Sequence, residues 1–475
     1  MTRTCCLMAV GLGALLFAPG ADAQTKRLSY AIAELSPEST YGSTVTSVRG
    51  VNNWGQVAGH SSGGTEIRAC IWEPDGRGNW LVRDFGASDF LSDATAVGIN
   101  DVGDVVGSKP LYPREGYFYD GLTGEFHTLP TPGEEFEPCG NRINNLGVVC
   151  GYLERGDYTI CAAMWERTDG TWTVTNLADM FDTVQARSSA NGINDNVQIV
   201  GSSSAQVNDF TTSMAHLWER DAGGTWTLTN LPGDCASASA INNRGQIVGS
   251  HSVNGSRHAC IWQRVDGEWV LTDLSPFATG YPGSRGSGIN ESGQVLVDMI
   301  NNSGSVEVAC LYENGVMRNL NNFLPAAAAG SVLKRGKDIN DYGQVVFFGY
   351  NPAGAHRAFL MDTRAVTYSY ASTGSAVSIR DKSTASKSMT LTDNETITDL
   401  NVAVTLYHTR YADLKFELIG PNNVTRLLCN AGAITGSGTK TLAFDDDGAV
   451  GRIVPAQPLS YYDGTSTKGK WTLKI

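Results

Sequence analysis

One nine-residue pattern, Ile241-Asn242-Asn243-Arg244-Gly245-Gln246-Ile247-Val248-Gly249, returns seven times along the chain, and nothing constrains the fold more. The copies begin at Val51, Ile99, Ile143, Ile193, Ile241, Ile289 and Ile339, with spacings of 48, 44, 50, 48, 48 and 50 residues. A period of this length marks stacked or radial repeats, each too small to bury a core of its own. Four short runs rich in Val, Ile, Trp and Thr recur around each copy, separated by Gly- and Asn-rich turns. In the fifth copy they lead into Ile241, cover Gln246–Gly249, cover His258–Trp262, and cover Trp269–Leu274. Such runs are strand signals. Four strands per unit of this length predict an all-β fold built of propeller blades.

Only six copies are followed by a fourth run. After the seventh (Ile339 to Met361) the sequence changes character, while Leu28–Leu35 resembles a fourth strand standing ahead of the first copy. The economical expectation is a seven-bladed β-propeller over residues 24–365, closed by its own N-terminal strand, which removes an open sheet edge. The Asn that starts each turn bonds the backbone two residues on, and the Gly three positions later takes positive φ. Val197 replaces that Gly in the fourth copy, so either Asn196 turns left-handed there or the turn differs. A ring of amides binding a metal or a sugar is the functional alternative to a purely structural turn.

These motifs resemble the HAF family of extracellular repeats, over roughly residues 28–363. The His of the His-Ala-Phe step stands only at His258; Arg68, Glu115, Cys161, Met214, Val308 and Arg357 replace it elsewhere. The resemblance implies export and repeat architecture and carries no assigned reaction.

Residues 366–475 read differently. Alternation of polar and apolar residues through Met389–Leu391, Ile397–Leu406 and Leu414–Leu418 predicts an antiparallel, jelly-roll-like β-sandwich. Val404-Thr405-Leu406-Tyr407-His408-Thr409-Arg410-Tyr411-Ala412-Asp413-Leu414 with Gly420-Pro421, Phe444-Asp445-Asp446, and Gly469-Lys470-Trp471-Thr472-Leu473 resemble the P (Homo B) domain of kexin- and furin-like proteases. Relative to that domain the chain stops one or two strands early. Asp445, Asp446 and Asp447, with Asp381 and Asp413, offer hard oxygens to Ca2+, although a solvated acidic turn explains them better, because the ion needs six or more converging oxygens.

Residues 1–23 read as a secretory signal: Arg3, an apolar run from Cys5 to Ala18, and Ala21-Asp22-Ala23 as cleavage site. The expected location is therefore secreted or periplasmic. The run is short for a membrane span. Net charge is −13 with no basic block, which argues against nucleic acid and anionic membranes as partners. Eight cysteines follow the signal. Cys70, Cys260 and Cys310 share one repeat position and read as small buried residues. Cys150 and Cys161 face each other across a hairpin if Arg155-Gly156 is a two-residue turn, close enough for a disulfide.

Thr212-Ser213-Met214-Ala215 superficially resembles a subtilase nucleophile segment, but it falls in register with a third strand. No companion His or Asp motif and no His-Glu-x-x-His occurs. The leading expectation is a secreted, non-catalytic, monomeric binding or scaffold protein that recognises an extracellular protein or glycan. A protease-associated protein, by the P-domain resemblance, and a propeller hydrolase are the alternatives. Turns between first and second strands are nearly uniform, whereas the loops Ser108–Arg114, Ala178–Ser189, Ser202–Thr212 and Ser275–Arg285 on the opposite face vary, and variable loops on a rigid frame are where recognition resides. Tyr112, Phe136, Phe181, Phe210, Phe277, Tyr281 and Arg285 are the expected contact residues.

Overall fold

A computed structural model describes residues 3–10, 24–35, 45–63, 66–75, 80–85, 93–109, 114–181, 187–207, 210–221, 223–274, 281–301, 303–372, 377–379, 382–392, 394, 396–397, 399–446 and 453–475. The chain divides into two compact units, Ile32–Asp362 and Met1–Ala31 with Thr363–Ile475.

In the larger unit each of the first six copies of the repeat organises one antiparallel meander of four strands, and the seventh copy supplies three strands. The first strands are Val45–Val51, Thr95–Ile99, Phe136–Ile143, Arg187–Ile193, Ser237–Ile241, Gly283–Ile289 and Val332–Ile339. Val332–Ile339 pairs with Gln344–Tyr350, which pairs with His356–Ser372. Gln24–Leu35 also pairs with His356–Ser372. Arg357 Nε donates to Glu34 Oε1 at 2.8 Å. Leu35 lies in one core cluster with Val346, Ala358 and Leu360 of the last copy and Val48, Val57 and Trp72 of the first.

The first strands share a β-bulge just before the Asn, for example between Val48 and Gly50 and between Ala238 and Ala240. A bulge bends and twists its strand. It also brings the two strands unusually close, which explains the glycine that ends the sequence motif. A Cβ on Gly249 would lie 2.0 Å from the Ser237 carbonyl oxygen, and one on Gly59 2.1 Å from that of Ser47. Third strands supply the bulk between sheets: Trp72, Trp165, Trp218 and Trp262 are fully buried, and Cys70, Cys260 and Cys310 are buried in successive inter-sheet clusters, Cys70 beside Trp72 and Cys260 beside Trp262. Trp165 and Trp262 donate their indole N–H to the carbonyls of Pro130 and Pro232 in the preceding copies.

Three local expectations need correction. Cys150 and Cys161 do not form a disulfide; both are free thiols. The hairpin turns through Gly156–Tyr158, with Arg155 N–H bonded to the Thr159 carbonyl. Cys150 therefore faces Met164 and Cys161 faces Leu153. Second, the fourth turn keeps the common geometry, and Val197 itself takes φ +57°, where Gly245 takes +74°. The same backbone bond closes both turns, Val197 N–H to Asn194 O and Gly245 N–H to Asn242 O. Third, Ser202–Thr212, expected as a variable loop, is largely paired: Ile199–Val207 and Phe210–Arg220 continue as a hairpin to the pair Val207 and Phe210.

In the smaller unit, Ser386–Leu391, Gly469–Lys474, Phe416–Ile419 and Thr425–Cys429 form one sheet in that order. Asp399–His408 pairs antiparallel with Gly438–Phe444. The two layers close on a common core that includes Leu400, Val402, Phe416, Phe444, Tyr462 and Trp471. Arg3–Val10, inside the stretch read as a leader, runs parallel between Val366–Ser372 and Asp399–Thr405.

Candidate functional site

The turn end of the larger unit is tied by two hydrogen-bonded circuits. In the first, each turn Asn uses Oδ1 locally and Nδ2 across the repeat. Asn242 Oδ1 accepts from the N–H groups of Arg244 and Gln246 at 3.2 and 3.0 Å. Its Nδ2 donates to the carbonyl of Asn290 at 3.1 Å. The same donation runs from Asn52 to Asn100, Asn100 to Asn144, Asn144 to Asn194, Asn194 to Asn242, Asn290 to Asn340 and Asn340 to Asn52. All seven residues are buried. In the second circuit the next residue of each turn offers a side-chain oxygen to the preceding copy's N–H. Asn53 bonds Asp101, and the series continues through Asn145, Asp195, Asn243, Glu291 and Asp341 back to Asn53. The seven amides are thus consumed in holding copies together, which leaves them no free donor set for a metal or sugar.

Further back along the first strands, five and three residues before the Asn, the side chains change in character. Arg285 and Arg335 occupy the first of these positions in copies six and seven, and Arg49 and Lys337 the second in copies one and seven. Arg142 stands two before its Asn and donates to the Val97 carbonyl. These cations lie within electrostatic reach of one another. Burial and the charges of Arg142 and Arg335 lower the pKa of Arg49. Burial, Arg49, Arg335 and Arg285 push Lys337 down to about 7, against the opposite pull of Asp298. His60, across from Ser47 on the adjoining strand, is held at about 4 by burial, Arg49 and Lys337.

Two carboxylates stand among them, and both are engaged. Asp298, fully buried, accepts from Arg285 Nη2 at 3.0 Å and from Gly336 N–H at 2.8 Å. Asp338 accepts from the N–H groups of Val51 and Ile339. Burial raises the pKa of both, against the nearby arginines.

Of the contact residues expected from sequence, only Arg285 belongs to this cluster. Phe136 packs in the cluster between copies two and three, with Arg155 4.7 Å from its ring centre. Phe181 packs against Trp218 and His216, and Tyr281 against the core shared by copies five and six. Tyr112 and Phe277 lie outside the described residues; Phe210 begins a strand. Arg49, Arg142, Arg335 and Lys337 were missed because each is a lone charge in sequence. Counting back from the Asn of each copy is the signal that finds them.

A buried array with the outline of a catalytic triad occurs in copy four. Ser203 Oγ lies 2.7 Å from His216 Nε2, and His216 Nδ1 lies 2.9 Å from Asn230 Oδ1. Ser203 and His216 are 3% and 1% exposed, and the Phe181 ring packs 4.9 Å from the imidazole. Burial holds the His216 pKa near 4. No face of this serine meets solvent, so the array satisfies core polar groups. Ser213 is a paired strand residue opposite Ser204.

Among the described residues Asp413, Asp445 and Asp446 do not converge as a metal site. Asp446 accepts from Leu459 and Ser460 N–H, Asp413 is exposed and lies 3.5 Å from Arg410, and Asp445 is buried. Asp381 and Asp447 lie outside the described residues. Among the described residues no three His, Cys, Asp or Glu side chains converge as a metal site, and no helix is long and apolar enough to cross a membrane.

No protein-family model matches the chain, and no curated protein matches it in sequence. Solved structures of similar shape include Pyrococcus horikoshii acylaminoacyl peptidase (13% identity, 70% of this chain and 53% of that chain, TM-score 0.42). They also include YCF48 bound to D1 peptide (12%, 70% and 95%, 0.41) and Trypanosoma rangeli sialidase (10%, 97% and 96%, 0.35). The chain spans about half the length of the peptidase it aligns with. At such identities and scores nothing about this chain's chemistry follows from them. On its own sheets and bonds the chain is an all-β repeat protein of propeller type.

Proposed function

We propose that the chain is a non-catalytic binding protein: a seven-bladed propeller closed by Gln24–Leu35, followed by a jelly-roll-like β-sandwich of P-domain type. In this reading the HAF-like repeats are the blades, residues 1–23 direct export, and recognition takes place at the end of the channel opposite the Asn turns. One observation carries it. The turn end is locked by two hydrogen-bonded circuits that run from the seventh copy back to the first, while charged side chains further along the first strands are left unpaired. Rigid frames with unspent polar groups at one end are built for binding.

The test is capture of extracellular glycans and proteins by the immobilised chain, alongside a casein cleavage assay of wild type and Ser213→Ala. Saturable capture with no cleavage supports the proposal. Cleavage abolished in the Ser213 variant overturns it in favour of a protease.

A further inference from the structure

The unpaired charges allow the ligand class to be narrowed, and this step rests on the binding reading above. We infer that the first strands of copies six, seven and one form a site for a multivalent oxyanion, a small soluble ligand carrying phosphate or carboxylate groups, held by Arg49, Arg335 and Lys337.

Four observations converge on it. The formal charges do not balance: with every group ionised, Arg49, Arg142, Arg285, Arg335 and Lys337 count five positive and Asp298 and Asp338 two negative, leaving three positive in a chain whose formal total is −13. The carboxylates are already committed to Arg285 and to backbone N–H groups, so they are not waiting for the remaining cations. Among the described residues Arg49, Arg335 and Lys337 have no hydrogen-bond or ion-pair partner; Arg335 is solvent-exposed, and Arg49 keeps solvent-exposed surface although protein atoms crowd around it closely enough to desolvate its charge. Beside them His60 Nδ1 is buried with no hydrogen-bond partner.

A cluster of this kind disfavours the empty fold. Like charges brought together without partners repel, and at Arg49 and Lys337 that repulsion adds to the larger cost of burying the charge. A structural role predicts the reverse, with each cation paired. Guanidinium groups suit the planar, two-point recognition of carboxylate and phosphate, and the ammonium of Lys337 adds a movable point charge. The placement is graded as well: Arg285 and Arg335 stand nearer the variable-loop end, with Arg49 and Lys337 deeper towards the Asn turns. An anion entering from that end meets exposed arginine first.

The experiment uses the full mature chain at constant ionic strength, with inorganic phosphate, pyrophosphate and citrate as probes and chloride as the control. Melting temperature and calorimetric binding are read for wild type, Arg335→Gln and Lys337→Gln. The expected result is a melting-temperature rise that grows with the logarithm of pyrophosphate or citrate concentration and is absent with chloride. Each variant should bind roughly ten- to a hundredfold more weakly, the worth of one charge-assisted hydrogen bond. Without anion, each variant should melt at or above wild type, because a repulsive charge is gone. No anion-specific rise, or variants that melt lower without anion while keeping wild-type affinity, overturns the inference. Failure here, with glycan or protein capture intact in both variants, leaves the binding reading standing and removes only the anion.

Discussion

Replacing Asn242 by Asp separates two explanations for the turn. If the Asn serves only its own turn, Asp is an adequate substitute, because a carboxylate oxygen accepts from the same backbone N–H groups. The structure demands more, since Asn242 Nδ2 also donates to the Asn290 carbonyl at 3.1 Å and to Gln246 Oε1 at 2.8 Å. Asn242→Asp keeps the accepting half and deletes both donations, setting a buried carboxylate against two oxygens. Leaving a buried acceptor unsatisfied costs about 1–3 kcal/mol. With like partial charges added, the total is roughly 2–5 kcal/mol for Asn242→Asp. Asn242→Ala also loses the Arg244 and Gln246 bonds and falls in the same range. Urea unfolding of wild type and both variants measures this. Lowering the pH should narrow the deficit of Asn242→Asp, since a protonated carboxyl regains a donor. Its folded pKa is raised by burial, so the loss is absent below the ordinary carboxylate range and sets in as pH rises through the raised value. An Asn242→Asp protein within about 0.5 kcal/mol of wild type refutes the circuit, that being the usual scatter of neutral substitutions.

Three further outcomes are expected. Gly245→Val should cost about 1–3 kcal/mol from backbone strain alone, because a Cβ there meets nothing closer than Gln198 Oε1 at 3.9 Å. Val197→Gly should be nearly neutral, since relief of about 1–2 kcal/mol of left-handed strain is offset by glycine's entropy and the lost packing of Val197; thermal melts check both. Lys337 faces Arg49, Arg335, Arg285, Asp298 and His60, and its pKa is depressed to about 7, so the folded chain holds its proton less tightly than the unfolded one. Lys337→Met should therefore be more stable than wild type below pH 7, with the advantage fading as pH rises towards the free-lysine range; melts across that range show the trend or its absence. Finally, the intact mass of exported protein should begin at Gln24; a chain retaining Arg3–Val10 as a strand would instead keep its leader.

Much of the architecture was legible because its signals are local. The Asn turn, the alternating strands and the buried Trp repeat in phase, and the Leu28–Leu35 run was found by asking which sheet lacked a strand. Links that leave the local segment were not legible. The Asn donors reach 44–50 residues ahead and, at the last step, from Asn340 back to Asn52, a distance no window over the sequence spans. Cys150 and Cys161 went astray on a turn three residues longer in its pairing than Arg155-Gly156 implied, and any such slip moves every facing pair. Val197 shows tertiary structure overriding a local steric preference: the circuit through Asn194 and the packing of its side chain hold the strained turn. The cationic cluster was hidden because copies one, three, six and seven contribute its members, while Phe136, Phe181 and Tyr281, bulky loop residues that stand out in sequence, pack between sheets.

The account rests on the seven copies forming a closed circle. Hydrogen exchange read by mass spectrometry addresses this directly, using the turn amides Asn52, Asn100, Asn144, Asn194, Asn242, Asn290 and Asn340, each bonded to the carbonyl four residues on. A closed ring has no end copies, so peptides covering Asn52 and Asn340 should be protected to within about 1 kcal/mol of those covering Asn194 and Asn242. An open array frays from its termini; exchange at Asn52 and Asn340 orders of magnitude faster than at the central copies would contradict it.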